Sequence, residues 1–199
     1  LAMAKVELDG SVGDPLTLVT APYAASASNT ISDGADVVTV WTENGELNFA
    51  RVSSALALVD GPSPISGTSG TQVGAAALVP TTDGFALLFG VLGELRFITL
   101  AADGQATSDA VAVAQVGDSY AGSASAAPTG DGGFAVTYAA GGAQGSDVYF
   151  VILESDGSQR FAPRRISQAF GGGLASGFGF NPRRNLLRVG DDFWVAYVE

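Results

Sequence analysis

One short segment recurs along the chain, and it constrains the fold more than any other feature. It is apolar and closes on an aromatic residue, and its four copies are Val37 to Trp41, Phe85 to Phe89, Phe134 to Tyr138 and Phe193 to Tyr197. The copies begin 48, 49 and 59 residues apart. The sequence lacks the 3.6-residue apolar period of amphipathic helices, whereas short apolar runs between turn residues are typical of strands. The sequence therefore predicts an all-β chain built from a repeat.

Each copy lies in a unit of four short strands, which we name A to D in chain order. The repeated segment is strand B. Small residues precede it as strand A, for example Val73 to Val79, and a second apolar segment such as Leu95 to Leu100 follows it as strand C. An Asp-Gly pair, the strongest short hairpin signal, leads into a short strand D. Four strands in a unit of about 50 residues are typical of a propeller blade.

The two ends of the sequence carry the two halves of a fourth unit. Leu1 to Val6 aligns with Leu95 to Leu100, and the alignment places Asp9-Gly10 on Asp103-Gly104. We therefore predict a single domain over residues 1–199, a β-propeller of four blades with four antiparallel strands each. C-terminal strands A and B and N-terminal strands C and D together close the last blade. The predicted repeats are 23–71, 72–119, 120–173, and 174–199 plus 1–22.

Closure within one chain places Tyr197 and Met3 on neighbouring antiparallel strands. The sequence leaves two alternatives open. Two chains would join into an eight-bladed ring, or the open blade would pair with another copy and form a homo-oligomer.

The units resemble those of bacterial extracellular β-propeller repeat proteins. In these units a turn with Asp-Gly or Gly-Gly leads into Phe-Ala-Val and an aromatic residue, and a second strand then ends in Asp-Gly, as at Asp156-Gly157. The resemblance covers essentially the whole chain, without WD, kelch, Asp-box or calcium-loop motifs. It implies a propeller fold and a secreted or cell-surface location in a bacterium. It does not imply one function, because adhesins, lectins, enzymes and scaffolds share the family.

The composition removes most of the usual catalytic groups. The chain has no His and no Cys, and its single Lys is Lys5. Without imidazole or thiolate it cannot build a Ser-His or Cys nucleophile or a His/Cys zinc site. We therefore expect a protein that is not an enzyme and has no cofactor and no metal. A carboxylate-based glycosidase escapes this argument, because it needs only two acids about 5 to 10 Å apart in a concave site.

The cations are unevenly distributed in a chain whose net charge is −11. That charge argues against nucleic acid and against insertion into a membrane. Six of the nine Lys and Arg residues nevertheless fall between residues 160 and 188, a span without Asp or Glu. An apparent A-to-B insertion contains the later ones, and the earlier ones lie at the C-to-D passage of the preceding unit. Loops of these two kinds share one face of a propeller, so we predict a positive face.

The candidate ligand-binding residues on this face are Arg160, Arg164, Arg183, Arg184 and Arg188. Guanidinium groups bind carboxylate, sulfate or phosphate in a bidentate manner, so the expected partner is an anionic glycan or an acidic protein. The alternative is pairing of these arginines with the chain's own acids or with another acidic copy. The predicted function is a non-catalytic extracellular binding or adhesion module. The alternatives are a structural or assembly subunit whose open blade pairs with another chain, and the carboxylate-based glycosidase.

Three further features have structural interpretations. The recurring aromatics Trp41, Phe89, Tyr138 and Tyr197 are expected to be core contacts between blades rather than a sugar-stacking set. Trp194 stands where the other units have Val38, Ala86 and Ala135, and we expect it to fill extra volume in the closing blade. The Asp-Gly pairs at Asp9, Asp103 and Asp156 are expected to be hairpin turns rather than calcium ligands.

Overall fold

The computed structural model describes residues 1–19, 25–70, 73–116, 124–142, 145–167 and 186–196. Every regular element in these ranges is a β-strand, and neighbouring strands pair in antiparallel fashion. The all-β prediction is therefore confirmed. The described ranges contain no helix that is long and apolar enough to span a membrane.

Two short strands near the start form a sheet of their own. β1 (Ala2–Met3) pairs with β2 (Leu16–Thr17). Between them the Asp9 carboxylate accepts a hydrogen bond from the Ser11 N–H, and Gly10 takes a positive φ of 85°. We call residues 1–19 the β1–β2 ribbon.

Three four-stranded sheets follow, each made of strands consecutive in the sequence. The first contains β3 (Ala25–Ser32), β4 (Asp36–Glu43), β5 (Glu46–Ser53) and β6 (Leu58–Pro64). The second contains β7 (Gly74–Pro80), β8 (Gly84–Val91), β9 (Glu94–Ala101) and β10 (Val111–Gln115). The third contains β11 (Ala124–Pro128), β12 (Phe134–Gly142), β13 (Gly145–Leu153) and β14 (Arg164–Arg165). The predicted strands A to D of three units are confirmed, with bounds that differ by a few residues.

A last hairpin consists of β15 (Leu186–Val189) and β16 (Asp192–Val195). The sequence placed Arg188 in an inserted loop between strands A and B, and this assignment is wrong. Gly190 adopts a positive φ of 65° and makes a tight turn, so the residues before it pair directly with β16. Arg188 therefore belongs to the innermost strand of the hairpin.

The innermost strands of these sheets lie side by side in chain order. β3 lies beside β7, β7 beside β11, and β11 beside β15. Small side chains such as Ala77 and Ala124 are buried on these strands, which allows the close approach. The arrangement is propeller-like, because successive antiparallel sheets are arrayed around their innermost strands.

One aromatic contact repeats at every interface between neighbouring sheets. A phenylalanine in the third strand of one sheet packs against the phenylalanine that begins the second strand of the next. The three pairs are Phe49–Phe85, Phe97–Phe134 and Phe150–Phe193, with ring centroids 5.9, 5.5 and 5.9 Å apart. Their ring planes meet at 50°, 46° and 47°. Each interface thus has its own core, and the core is built by the same repeat position.

The predicted closure is not seen in the described part of the chain. There the β1–β2 ribbon and the β15–β16 hairpin are separate two-stranded sheets, and no strand ladder joins them. Leu18 and Val19 instead lie beside the first sheet, where they line a cleft with Glu43. Tyr197, predicted beside Met3, lies outside the described residues.

The aromatic positions have two different outcomes. Phe89 and Tyr138 are buried in the cores between sheets, which confirms the predicted role, and Trp41 is fully buried as well. Trp194 is 66% exposed, so the expectation that it fills internal volume is wrong. It lies on the face of the β15–β16 hairpin opposite Phe193, the residue that contacts the third sheet.

Candidate functional site

The predicted arginine face contains a closed ion-pair cluster around Arg160. Its guanidinium contacts both oxygens of Glu154, at 2.7 and 2.9 Å, and an oxygen of Asp131 at 2.9 Å. The contacts to Arg160 lower the pKa of Glu154, while a hydrogen bond from Thr129, followed by Arg160, holds the pKa of Asp131 far below its usual range. Intramolecular pairing, the alternative left open by the sequence, is therefore what the structure records for Arg160.

Arg164 and Arg188 have contacts of their own within the chain. Arg188 donates to the Gly190 carbonyl at 2.9 Å and lies 3.6 Å from Asp191. Arg164 stacks over the Phe161 ring, 5.4 Å from its centroid. Arg183 and Arg184 lie outside the described residues. The anion-binding role of these five arginines remains a prediction.

An aspartate occupies the turn between the first and second strand of each four-stranded sheet and of the β15–β16 hairpin. The four are Asp33, Asp83, Asp131 and Asp191. Three of them have an arginine partner, namely Arg51 for Asp33, Arg160 for Asp131 and Arg188 for Asp191. Asp83 is exposed and forms no hydrogen bond or ion pair with any other described residue. The turn aspartate thus forms an ion pair with an arginine at the other three turns but has no such partner among the described residues of the second sheet.

Two clefts meet at the turn that carries Asp83. The smaller, of about 320 Å³, lies between the first and second sheets, and both Asp33 and Asp83 line it. The larger, of about 670 Å³, lies between the second and third sheets and has Asp83 as its one carboxylate among the described lining residues. The residues Pro80 to Asp83 belong to both clefts. Asp83 therefore stands on the ridge between two adjoining concave surfaces.

Asp33 is the second carboxylate of the smaller cleft, and its surroundings keep it ionised. Its Oδ1 accepts hydrogen bonds from the N–H of Asp36 at 2.8 Å and of Ala35 at 2.9 Å. Its Oδ2 lies 2.9 Å from a guanidinium nitrogen of Arg51. The two backbone donors, with a smaller contribution from Arg51, lower the pKa of Asp33.

The larger cleft offers hydroxyl and backbone groups. Hydroxyl side chains line it from β9 and from three connections between strands, and they are Thr81, Thr82, Thr99, Thr107 and Ser155. Gly130 and Gly132 expose their backbone along one wall, and the buried Gly133 borders them. Phe85 and Phe134, both at most 4% exposed, form the floor. No Lys or Arg is among the described residues that line this cleft. Such a surface suits a neutral, hydroxyl-bearing ligand.

The cavity between the innermost strands has a different chemistry. It measures about 450 Å³ and is lined by residues of β3, β7, β11 and β15. Its polar side chains in the described part are Asn29, Thr30 and Arg188, without a carboxylate. A glycosidase was expected to need paired acids in a central pocket, but Asp33 and Asp83 lie in turns outside this cavity. Among the described residues, no three acids converge in a way that could hold a metal ion.

Comparison with known proteins gives a fold and no family. No family model matches the chain, and no curated protein matches it either. Among solved structures, a thermostable family-43 glycoside hydrolase is similar, with a TM-score of 0.50 and 13% identity over 75% of this chain. The chain spans 59% of the length of that hydrolase. A puromycin-hydrolysing peptidase of Mycobacterium tuberculosis has a TM-score of 0.45 and 17% identity, over 85% of this chain and 30% of the peptidase.

The similarity to the family-43 glycoside hydrolase corrects the functional prediction. The sequence predicted a non-catalytic binding or adhesion module, but the fold that the chain resembles is that of an enzyme. The exclusion rested on the lack of His and Cys, which removes nucleophiles activated by imidazole or thiolate but leaves carboxylate chemistry available. The sequence does contain a signal for carboxylate chemistry that the prediction did not use. The turns before Phe85, Phe134 and Phe193 each contain an aspartate.

Proposed function

We propose that this protein is a carboxylate-dependent glycoside hydrolase whose reaction takes place beside Asp83. One observation carries the proposal: Asp33 and Asp83 line the same cleft but stand in different surroundings. Asp33 has three donors on its carboxylate, whereas Asp83 has none among the described residues. Two carboxyl groups in unlike environments are what acid and base roles in glycoside hydrolysis require. The similarity in fold to a family-43 glycoside hydrolase supports the same assignment.

The different surroundings of Asp33 and Asp83 assign a different role in the reaction to each carboxyl group. Asp83 donates a proton to the glycosidic oxygen, and the bond between that oxygen and the anomeric carbon breaks. Asp33, which its donors keep as an anion, accepts a proton from the attacking water, whose oxygen bonds to the anomeric carbon. Both oxygens of Asp33 already accept hydrogen bonds or an ion pair, which favours action as a base over action as a nucleophile. The products are two sugars, with the anomeric configuration inverted.

The cleft chemistry narrows the substrate class. A sugar chain cleaved at Asp83 extends into the larger cleft, where threonine and serine hydroxyls and glycine backbone groups would bind sugar hydroxyls. Because no cation is among the described lining residues there, a neutral glycan fits this cleft better than the anionic glycan expected from the sequence. We also propose a secreted or cell-surface location, which the resemblance to extracellular repeat proteins implies. We infer that the framework is one β-propeller domain over residues 1–199.

The proposal is tested by release of reducing sugar from a panel of neutral polysaccharides. Asp83→Asn and Asp33→Asn should each lower kcat/KM at least about 100-fold, because each removes a proton-transfer group. Asp14→Asn is the matched control, since Asp14 is exposed and lies outside both clefts. Circular dichroism of each variant excludes loss of fold. Full activity of the Asp83 variant, or failure on every neutral glycan, would overturn the proposal.

A further inference from the structure

The β1–β2 ribbon has the structure of the outer half of a sheet. Its pairing of Met3 with Leu16 repeats the pairing of Phe97 with Val111 in the second sheet and of Phe150 with Arg164 in the third. In its turn, the Asp9 carboxylate accepts a hydrogen bond from the N–H of the residue two positions later. The turns at Asp103 and Asp156 contain the same hydrogen bond. Register and turn thus match the ribbon to the third and fourth strands of a sheet.

The β15–β16 hairpin has the structure of the complementary inner half. Its pairing of Arg188 with Phe193 repeats that of Pro128 with Phe134. Phe193 also makes the repeated aromatic contact, here with Phe150 of the third sheet. The hairpin therefore occupies the place of the next sheet, and its two strands match the first and second strands.

Both halves leave apolar surface uncovered. On the hairpin, Leu187, Val189 and Trp194 are 57%, 60% and 66% exposed. On the ribbon, Val6 and Val12 are 64% and 65% exposed. The Val38, Ala86 and Ala135 that occupy the Trp194 position in the complete sheets are buried or nearly so, each in a core between sheets. Trp194 thus stands exposed at a position that is buried in the complete sheets.

A glycine contact shows where the ribbon belongs. A Cβ placed on Gly104 would overlap the Phe49 ring, and one placed on Gly157 would overlap the Phe97 ring. Each Asp-Gly turn therefore sits against the third-strand phenylalanine of the preceding sheet. Gly10 has no atom within 4 Å of its Cβ position, and Phe150 is only partly buried. Gly10 and Phe150 are thus the residues that would form this repeated contact, and neither forms it within the described chain.

We propose that the β1–β2 ribbon of a second copy completes the β15–β16 hairpin. The register of the second sheet pairs Phe193 with Val6 and Val195 with Ala4, and it places Gly10 against Phe150. A second copy supplies the ribbon because, in the described chain, the two halves remain separate sheets with their apolar residues exposed. The new ladder continues the core between the third sheet and the hairpin, so the interface extends one that already exists.

The absence of cysteine makes the register testable by disulfide formation. Ala4→Cys and Val195→Cys variants are mixed under oxidising conditions, since Cα atoms paired across antiparallel strands, about 5 Å apart, are within disulfide reach. The expected result is a covalent dimer of one copy of each variant, formed at least about tenfold faster than with Leu92→Cys in place of Val195→Cys. Leu92 is more exposed than the half-buried Val195 but lies in the β8–β9 turn, so greater exposure alone would favour the control. Light scattering of the unmodified chain should show a mass that rises with concentration, and Val6→Asp should abolish the rise.

Two results would overturn the proposal. The double variant, carrying both cysteines in one chain, would form an intramolecular disulfide at all dilutions if the ring closes within the chain. A monomer at every concentration, with crosslinking no faster than in the Leu92 control, would mean that the hairpin edge is not an interface.

Discussion

Phe150 and Phe193 lie with their ring centroids 5.9 Å apart and their planes at 47°, the geometry that Phe49–Phe85 and Phe97–Phe134 adopt at the other two interfaces. Offset and tilted pairs of this kind are favourable beyond the area they bury. The pair connects the β15–β16 hairpin to the third sheet and identifies it as the next member of the array. A two-strand hairpin thus obeys the packing rule of the four-stranded sheets.

The repeated pair should dominate the stability of each interface. We expect Phe97→Ala and Phe134→Ala to lower the free energy of unfolding by about 3 to 5 kcal/mol each, because both rings are buried and leave a cavity. Phe150→Ala should cost less, because its ring is only partly buried. Urea denaturation measures all three, with exposed Leu8→Ala as the control. Equal losses at Phe97 and Leu8 would contradict the assignment.

The glycines of the Asp-Gly turns should differ in their tolerance of a side chain. Gly10, Gly104 and Gly157 share a φ near 84°, so alanine costs about 1 kcal/mol of backbone strain at each. At Gly104 and Gly157 the added Cβ also meets a phenylalanine ring, whereas at Gly10 it meets nothing. Gly104→Ala and Gly157→Ala should therefore destabilise by about 3 kcal/mol and Gly10→Ala by about 1. Thermal unfolding compares them in dilute protein, where the proposed contact of Gly10 with a second copy is absent, and equal shifts in Tm would refute the ring contact.

The Arg160 cluster should appear in carboxylate titrations. The pKa of Glu154 is lowered by Arg160, so Arg160→Gln should raise it toward its ordinary value. A carboxyl whose folded pKa is depressed stabilises the fold above its unfolded pKa and loses that contribution as pH falls through the folded value. The free energies of unfolding of the variant and of the parent should therefore converge as the pH falls into the acid range. NMR titration reads the pKa values, and Asp156, whose pKa is lowered by Ser158, is the internal control.

Tyr138 should ionise late in alkali. Burial, with a smaller contribution from stacked Tyr149, raises its pKa to about 12. A raised folded pKa gives stability that is present below the unfolded pKa, about 10, and is lost as pH rises through the folded value. Tyr138→Phe should therefore flatten the stability profile between about pH 10 and 12. Ultraviolet difference titration together with urea denaturation at each pH checks this, and an unchanged profile would contradict it.

The strands were predictable because their signals are local. The bounds of β8, for example, follow from an apolar run between Asp83-Gly84 and the turn at Leu92-Gly93, and neighbouring sheets repeat the pattern. The candidate site was not predictable, because it depends on which turns meet. Asp33 and Asp83 are 50 residues apart in the sequence and line one cleft only because two sheets pack side by side.

By itself, the sequence determined the repeat, the strand order within each sheet and the Asp-Gly turns, all of which arise from alternation and turn chemistry among neighbouring residues. The tertiary structure alone decided the rest. It paired Arg160 with Glu154 and Asp131, left Asp83 without a partner among the described residues, and exposed Trp194. Charge pairing and burial depend on distances between residues far apart in the chain, and the packing of one sheet on the next sets those distances.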